Sequence, residues 1–313
     1  MSKKILLMGL LASICFSNIC FSNNCLAGEV IFTDALDREV TVCDPERVAV
    51  LIGSFADVWC LAGGEVCATV DDAWDEFALD ISEDAVNLGN TKEPSVEKLL
   101  ASEPDFIIAS SNTRADMDML DTLNASGITT AYFYVNNFED YLNMLKICTD
   151  ITGREDLYEK NGLEIKNQIE TVIEDSKERL ETEEAPKVLV MRFSSTAFRA
   201  VNSQGNVMAE MLSDLGCINI ADANDTLLEN LNIEYILQED PDYIFAVQSG
   251  NDVEGSEKAL DELLEQNAAW AALTAVRERN VYRMDKRLYN MKPNALWGEA
   301  YEGLEKILSD KQE

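Results

Sequence analysis

Val96-Glu97-Lys98-Leu99-Leu100-Ala101-Ser102-Glu103-Pro104-Asp105-Phe106-Ile107-Ile108 is matched, 137 residues later, by Ile233-Glu234-Tyr235-Ile236-Leu237-Gln238-Glu239-Asp240-Pro241-Asp242-Tyr243-Ile244-Phe245. Glu, Leu, Pro, Asp and Ile recur at five equivalent places, and an aromatic follows Pro-Asp in both copies. Each copy reads as a short helix, a turn and a strand. Proline ends the helix because its ring disfavours the α region for the residue before it. The unbroken apolar run after Pro-Asp suits a parallel strand covered on both faces. Two such units so far apart predict two similar α/β lobes.

The flanking sequence extends this reading. In the first half, strands are expected at 48–52, 67–70, 107–109 and 130–135, with a helix at 55–61 stopped by Gly63-Gly64. In the second half, strands are expected at 187–191, 243–247 and 281–284. Helices are expected at 207–215, closed by Gly216, and at 295–308. Between the halves, 156–183 contains no proline and only Gly162. Leu157, Ile165, Ile169, Val172, Ile173 and Leu180 form a helical stripe there. At 1.5 Å per residue such a helix would reach about 40 Å, long enough to brace two lobes. The expected organisation is a leader at 1–27, an N-terminal lobe at 28–153, a linking helix at 154–184 and a C-terminal lobe at 185–313.

The chain of 313 residues carries 25 Lys and Arg against 58 Asp and Glu, a formal charge of −33, with 47% hydrophobic residues. A nucleic acid or an anionic membrane surface is not the partner of so negative a field. The apolar content is too high for a disordered polyanion. There is no histidine, which removes imidazole bases, Ser-His and Cys-His nucleophiles, and His-ligated zinc or haem. Neither a G-x-S-x-G elbow, a Walker-type glycine loop nor a G-x-G-x-x-G turn after a strand occurs.

Lys3 and Lys4 precede a dozen apolar residues at 5–16, and Cys25-Leu26-Ala27 precedes Gly28. The run is too short to span a bilayer and reads as an export signal cleaved after Ala27. Cys15, Cys20 and Cys25 follow Ile14, Ile19 and Asn24 rather than the small residue that lipid attachment would require, so a soluble exported protein is expected, with a lipid anchor as the alternative. Cys43, Cys60, Cys67, Cys148 and Cys217 remain. Without a C-x-x-C they support neither zinc nor a redox motif, and a disulfide among Cys43, Cys60 and Cys67 is permitted.

Taken in order along the chain, these features resemble the substrate-binding proteins of ABC importers that carry ferric siderophores, cobalamin or haem. The opening Phe32-Thr33-Asp34-Ala35-Leu36-Asp37-Arg38-Glu39-Val40 with Pro45-Glu46-Arg47-Val48 is similar to that family's first hairpin and strand. Val281-Tyr282-Arg283-Met284 and Lys292-Pro293-Asn294-Ala295-Leu296-Trp297-Gly298-Glu299-Ala300-Tyr301 are similar to its last strand and helix start. The resemblance implies two three-layer α/β/α lobes with mainly parallel sheets, a single long rigid helix between them, and a ligand in the cleft. It also implies that one glutamate per lobe docks on a permease dimer. The matching positions are Glu97 and Glu234, the glutamates shared by the two copies of the repeat. The implied protein is a monomer, exported to the periplasm or cell surface, that performs no catalysis and has no resident cofactor.

Ligands of doubly wound sheets sit beyond the carboxyl ends of the strands. That rule selects Ser54, Phe55, Trp74 and Asn112 in the first lobe, and Arg192, Phe193, Gln248, Tyr289 and Lys292 in the second. Trp74, Phe193 and Tyr289 could stack on a planar ligand. Arg192, Arg199, Arg287 and Lys292 are the cations suited to an anionic metal chelate, conspicuous because cations are scarce. A ferric siderophore or related iron complex ranks first, because its iron is already coordinated. Cobalamin ranks second and haem third. A reading from another class is an exported carboxylate-dependent hydrolase built on Asp71, Asp72, Asp75 and Glu76.

Overall fold

The computed structural model describes residues 28–310 apart from residues 205, 225, 230 and 251; the expected leader lies outside the described residues. An antiparallel hairpin, β1 (Glu29–Thr33) and β2 (Glu39–Cys43), opens the described chain. The N-terminal lobe follows with β3 (Val48–Val50), β4 (Val66–Thr69), β5 (Val86–Asn87), β6 (Phe106–Ser110) and β7 (Thr129–Phe133). They form one parallel sheet in the order β5-β4-β3-β6-β7. The C-terminal lobe contains β8 (Lys187–Phe193), β9 (Phe198–Ala200), β10 (Ile218–Asn219), β11 (Tyr243–Gln248) and β12 (Val281–Met284). Its parallel path is β10-β8-β11-β12, and β9 folds back antiparallel on β8. Thus β3 corresponds to β8, β4 to β10, β6 to β11 and β7 to β12.

The repeat seen in the sequence is carried down to single hydrogen bonds. Each Pro-Asp aspartate clamps the start of the strand beside it. Asp105 accepts from the Arg47 N–H at 3.0 Å, and its own N–H donates to the Arg47 carbonyl at 3.0 Å. Asp242 does the same to Lys187, at 2.8 Å in both directions. Glu103 and Asp240, one residue before each proline, both take the left-handed conformation, with φ of 50° and 43°. That conformation reverses the chain between helix and strand. Each helix is started by a polar cap: the Ser95 hydroxyl accepts from the Lys98 N–H, and the Asn232 amide oxygen accepts from the N–H groups of Glu234 and Tyr235. The caps, proline and aspartate are local devices, which is why the sequence displays them.

The linking helix runs from Glu155 to Leu180 in three consecutive pieces. Glu155–Tyr158 is α-helical, Glu159–Leu163 forms a π turn, and Glu164–Leu180 is α-helical again. The expectation of an even α-helix to residue 183 is corrected at both points. The π turn contains Gly162, where an added Cβ would lie 2.8 Å from the Leu142 side chain. The absent side chain lets the helix Phe138–Thr152 approach closely. Tyr141 donates to the Asn161 carbonyl and Asn161 donates to the Leu61 carbonyl, pinning that turn to the N-terminal lobe. Ile165, Ile169, Val172 and Ser176 form the buried stripe.

One buried cluster runs from Val50 and Phe133 through Ile165 and Ile169 to Val190, Phe245, Trp297 and Tyr301, so it includes both sheets, the linking helix and the terminal helix Trp297–Ser309. A separate cluster lies on the far face of each sheet. Both sheets therefore carry apolar packing on each face, giving two three-layer lobes. Cys60, Cys67, Cys148 and Cys217 are free thiols, so no disulfide joins Cys60 or Cys67 to each other or to Cys43. No helix among the described residues is long and apolar enough to cross a membrane.

Candidate functional site

The carboxyl ends of β8 and β11, with β9 and the chain that follows it, enclose a pocket of about 480 Å³ in the C-terminal lobe, lined by Arg192, Ser194, Arg199, Asn202, Gln204, Asn206 and Ser249 among others. Arg192 and Arg199 face each other directly across the β8–β9 ladder. Like charges at opposed positions destabilise a sheet, yet neither guanidinium has an ion-pair partner among the described residues. The protein packed around Arg192, and secondarily the charge of Arg199, hold the Arg192 pKa below its ordinary value. Both side chains stay exposed. In a chain with an excess of 33 negative charges, two adjacent unneutralised cations are chemically suited to receive an anion.

Of the other two expected cations, Arg287 is committed elsewhere. Arg287 donates to Asp57 at 3.0 Å and to the carbonyls of Lys292 and Pro293, and its guanidinium lies 4.3 Å from the Phe77 ring centre. Asn294 donates to the Ser54 carbonyl at 2.8 Å and to the same Asp57 oxygen at 2.9 Å. Lys286 pairs with Glu76. These contacts tie the loop after β12 to the N-terminal lobe. Arg287 is a brace between the lobes rather than a free cation. Lys292 is half-buried, and burial holds its ammonium below the usual range against the opposing pull of Asp140.

Three of the expected stacking or lining residues are core residues instead. Phe55, Phe193 and Tyr289 are almost fully buried. Phe55 and Phe193 belong to the packed clusters on the sheet faces, and Tyr289 donates its hydroxyl to the Ala300 carbonyl. Strand parity explains Phe193: it is the neighbour of Arg192, so one of them must point away from the pocket. Ser54 is also buried, and its hydroxyl has no partner among the described residues. Trp74 is half-buried against the central cluster. Asn112 is exposed beyond the end of β6. Gln248 lies at the end of β11, next to Ser249 of the pocket, and donates to the carbonyls of Ser249 and Gly250. The sequence reading overlooked Tyr134. It is 47% exposed immediately after β7, whose last four residues are buried. The sequence carries no signal for it, because the strand expected at 130–135 runs through this position, whereas β7 ends at Phe133.

The acidic cluster is largely occupied with structure. Asp72 accepts from the Gly53 N–H at 2.9 Å, and burial raises its pKa. Glu76 is paired with Lys286. Among the described residues no three His, Cys, Asp or Glu side chains are grouped to hold a metal.

Glu97 and Glu234 are exposed, each at the second position of its capped helix. The Ser95 N–H donates to the Leu88 carbonyl, and the Leu88 N–H donates to Thr69 at the end of β4. The N-terminus of that helix therefore rises toward the carboxyl ends of the strands, the end that also carries the pocket in the other lobe.

Comparison with known proteins agrees with this architecture. The chain is 25% identical over 293 residues to the iron-uptake system-binding protein of Bacillus subtilis (strain 168), covering 89% of this chain and 88% of the relative. The periplasmic catecholate-siderophore binding protein VctP of Vibrio cholerae superposes with a TM-score of 0.70 at 16% identity, covering 90% of this chain and 100% of that one. Staphylococcus aureus IsdE, solved with heme, superposes with a TM-score of 0.66 at 15% identity, covering 84% and 99%. The family described as "Periplasmic binding protein" matches residues 48–288. A match over that span, on a chain built as two lobes about one linking helix, makes this chain a member of the periplasmic binding protein family.

Proposed function

We propose that this chain is an exported, monomeric substrate-binding protein that captures an anionic iron complex, a ferric siderophore or related chelate, and delivers it to an ABC importer without altering it. The carrying observation is the Arg192–Arg199 pair, exposed in a pocket and unneutralised in a strongly acidic chain. Such a pair offers bidentate sites to carboxylate or catecholate oxygens that surround a bound metal. Asn112 and Tyr134 from the opposite lobe, with Gln248, Ser249 and the half-buried Trp74, complete the cleft in this reading. The relation to an iron-uptake binding protein supports iron as the cargo. Glu97 and Glu234 are the permease contacts: two equivalent exposed carboxylates on two equivalent lobes suit a two-fold partner bearing cations. The lobes are taken as 28–153 and 185–313, with 154–184 between them.

The test is tryptophan fluorescence of the purified chain against ferric citrate, a ferric catecholate, a ferric hydroxamate, haemin and cobalamin. One ferric chelate should bind one per chain, and Arg192→Ala with Arg199→Ala should weaken it by about a hundredfold. Binding of cobalamin or haemin alone, unaffected by loss of the two arginines, would reject the anionic iron complex. Glu97→Arg with Glu234→Arg should stop uptake in cells and leave affinity in solution intact.

A further inference from the structure

The repeat that builds the two lobes leaves an apolar side chain uncovered in each. Leu100 is 38% exposed and Leu237 is 39% exposed, whereas the preceding Leu99 and Ile236 are at 1% and 0% and anchor each helix to its lobe. Leu100 and Leu237 occupy the same place in the two copies. A single exposed leucine calls for no explanation. Here the exposure is equal at equivalent positions, while the residues around it have diverged: Lys98 stands where the second copy has Tyr235, and Ala101 where it has Gln238. Each leucine also follows a repeated glutamate by three residues, so on a helix it shares a face with Glu97 or Glu234. Neither glutamate has an ion-pair partner among the described residues.

We propose that Leu100 and Leu237 are paired apolar anchors of the permease-docking face, each seated in an apolar recess beside the cation that receives the neighbouring glutamate. This rests on the docking role of Glu97 and Glu234 and adds a division of labour to it. Exposed charges at a rim steer encounter and set the association rate, whereas a buried apolar anchor acts on residence time. The occupant is a two-fold permease, because the two copies present one acid and one leucine each in the same order.

The experiment immobilises the permease–ATPase complex in nanodiscs and follows binding of the unliganded chain by interferometry. Leu100→Ser with Leu237→Ser should dissociate about tenfold faster, with association within about twofold of wild type. Each single variant should show part of that effect, and Leu100→Met with Leu237→Met should restore the wild-type rate. Melting curves on the same samples control for folding. Wild-type dissociation in the double serine variant, with binding abolished by Glu97→Arg and Glu234→Arg, would overturn the leucine anchors and keep the docking role. Wild-type binding by the glutamate variant would remove the docking role itself. An effect from only one leucine would overturn the pairing.

Discussion

Arg287→Ala tests how firmly the two lobes are held. The substitution removes a 3.0 Å ion pair to Asp57, hydrogen bonds to the carbonyls of Lys292 and Pro293, and the stacking on Phe77. Asp57 would keep only Asn294 as a partner. Deleting one member of a fully buried pair costs about 3–5 kcal/mol. Here the side chains retain 24% and 14% exposure, so water can screen the orphaned carboxylate, and the expected loss is about 2–3 kcal/mol. For a chain of this size that lowers Tm by about 5 °C. Guanidinium unfolding followed by the four tryptophans measures it directly. In a double-mutant cycle with Asp57→Asn, the pair should show a coupling of about 1–2 kcal/mol. The pH dependence has a definite sign. Burial already raises the Asp57 pKa in the fold, against the lowering effects of Asn294 and Arg287. Loss of Arg287 raises it further, so the variant's deficit is largest where Asp57 is ionised and shrinks as pH falls through its titration. A stability within about 0.5 kcal/mol of wild type, or a coupling near zero, would refute the idea that this contact braces the lobes.

Two further outcomes follow from buried groups. Asp116 is fully buried, with one oxygen accepting from the Ser110 N–H at 2.7 Å and the other without a partner among the described residues, and burial raises its pKa to about 7. Because the folded pKa lies above the unfolded value, the protonated acid stabilises the fold at low pH. That contribution is lost as pH rises from about 4 to about 7, by up to about 4 kcal/mol. Asp116→Asn should lack this pH-dependent loss, and stability curves that run parallel between pH 4 and pH 8 would refute it. Gly216 has φ of +78°, and an added Cβ would lie 2.3 Å from the Leu180 side chain at the end of the linking helix. Gly216→Ala should cost about 1–2 kcal/mol by thermal melting, and an unchanged Tm would show that this turn is not constrained.

The repeat, the strands that follow Pro-Asp and the linking helix were legible in the chain because each depends on neighbours in sequence: a cap, a proline, an aspartate, a stripe with helical spacing. The same holds for Glu97 and Glu234, which stand out because they recur at one place in both copies of the repeat. The cleft was legible only as a set of strand ends. Which residues remain available there depends on contacts between segments far apart. Arg287 and Arg192 are alike as residues, yet Asp57, 230 positions away, occupies one, and among the described residues no carboxylate pairs with the other. Phe193 and Tyr134 are both aromatics near strand ends, and the face each takes, with what packs on that face, makes one core and the other surface. A side chain one place along a strand faces the opposite side, so the end of a strand can be known from sequence while the face it presents is not. The duplicated architecture is written in the order of residues along the chain, through local hydrogen bonding and periodicity. The tertiary packing decided which charges were left unpaired, because neutralising a charge requires a partner that only folding brings near.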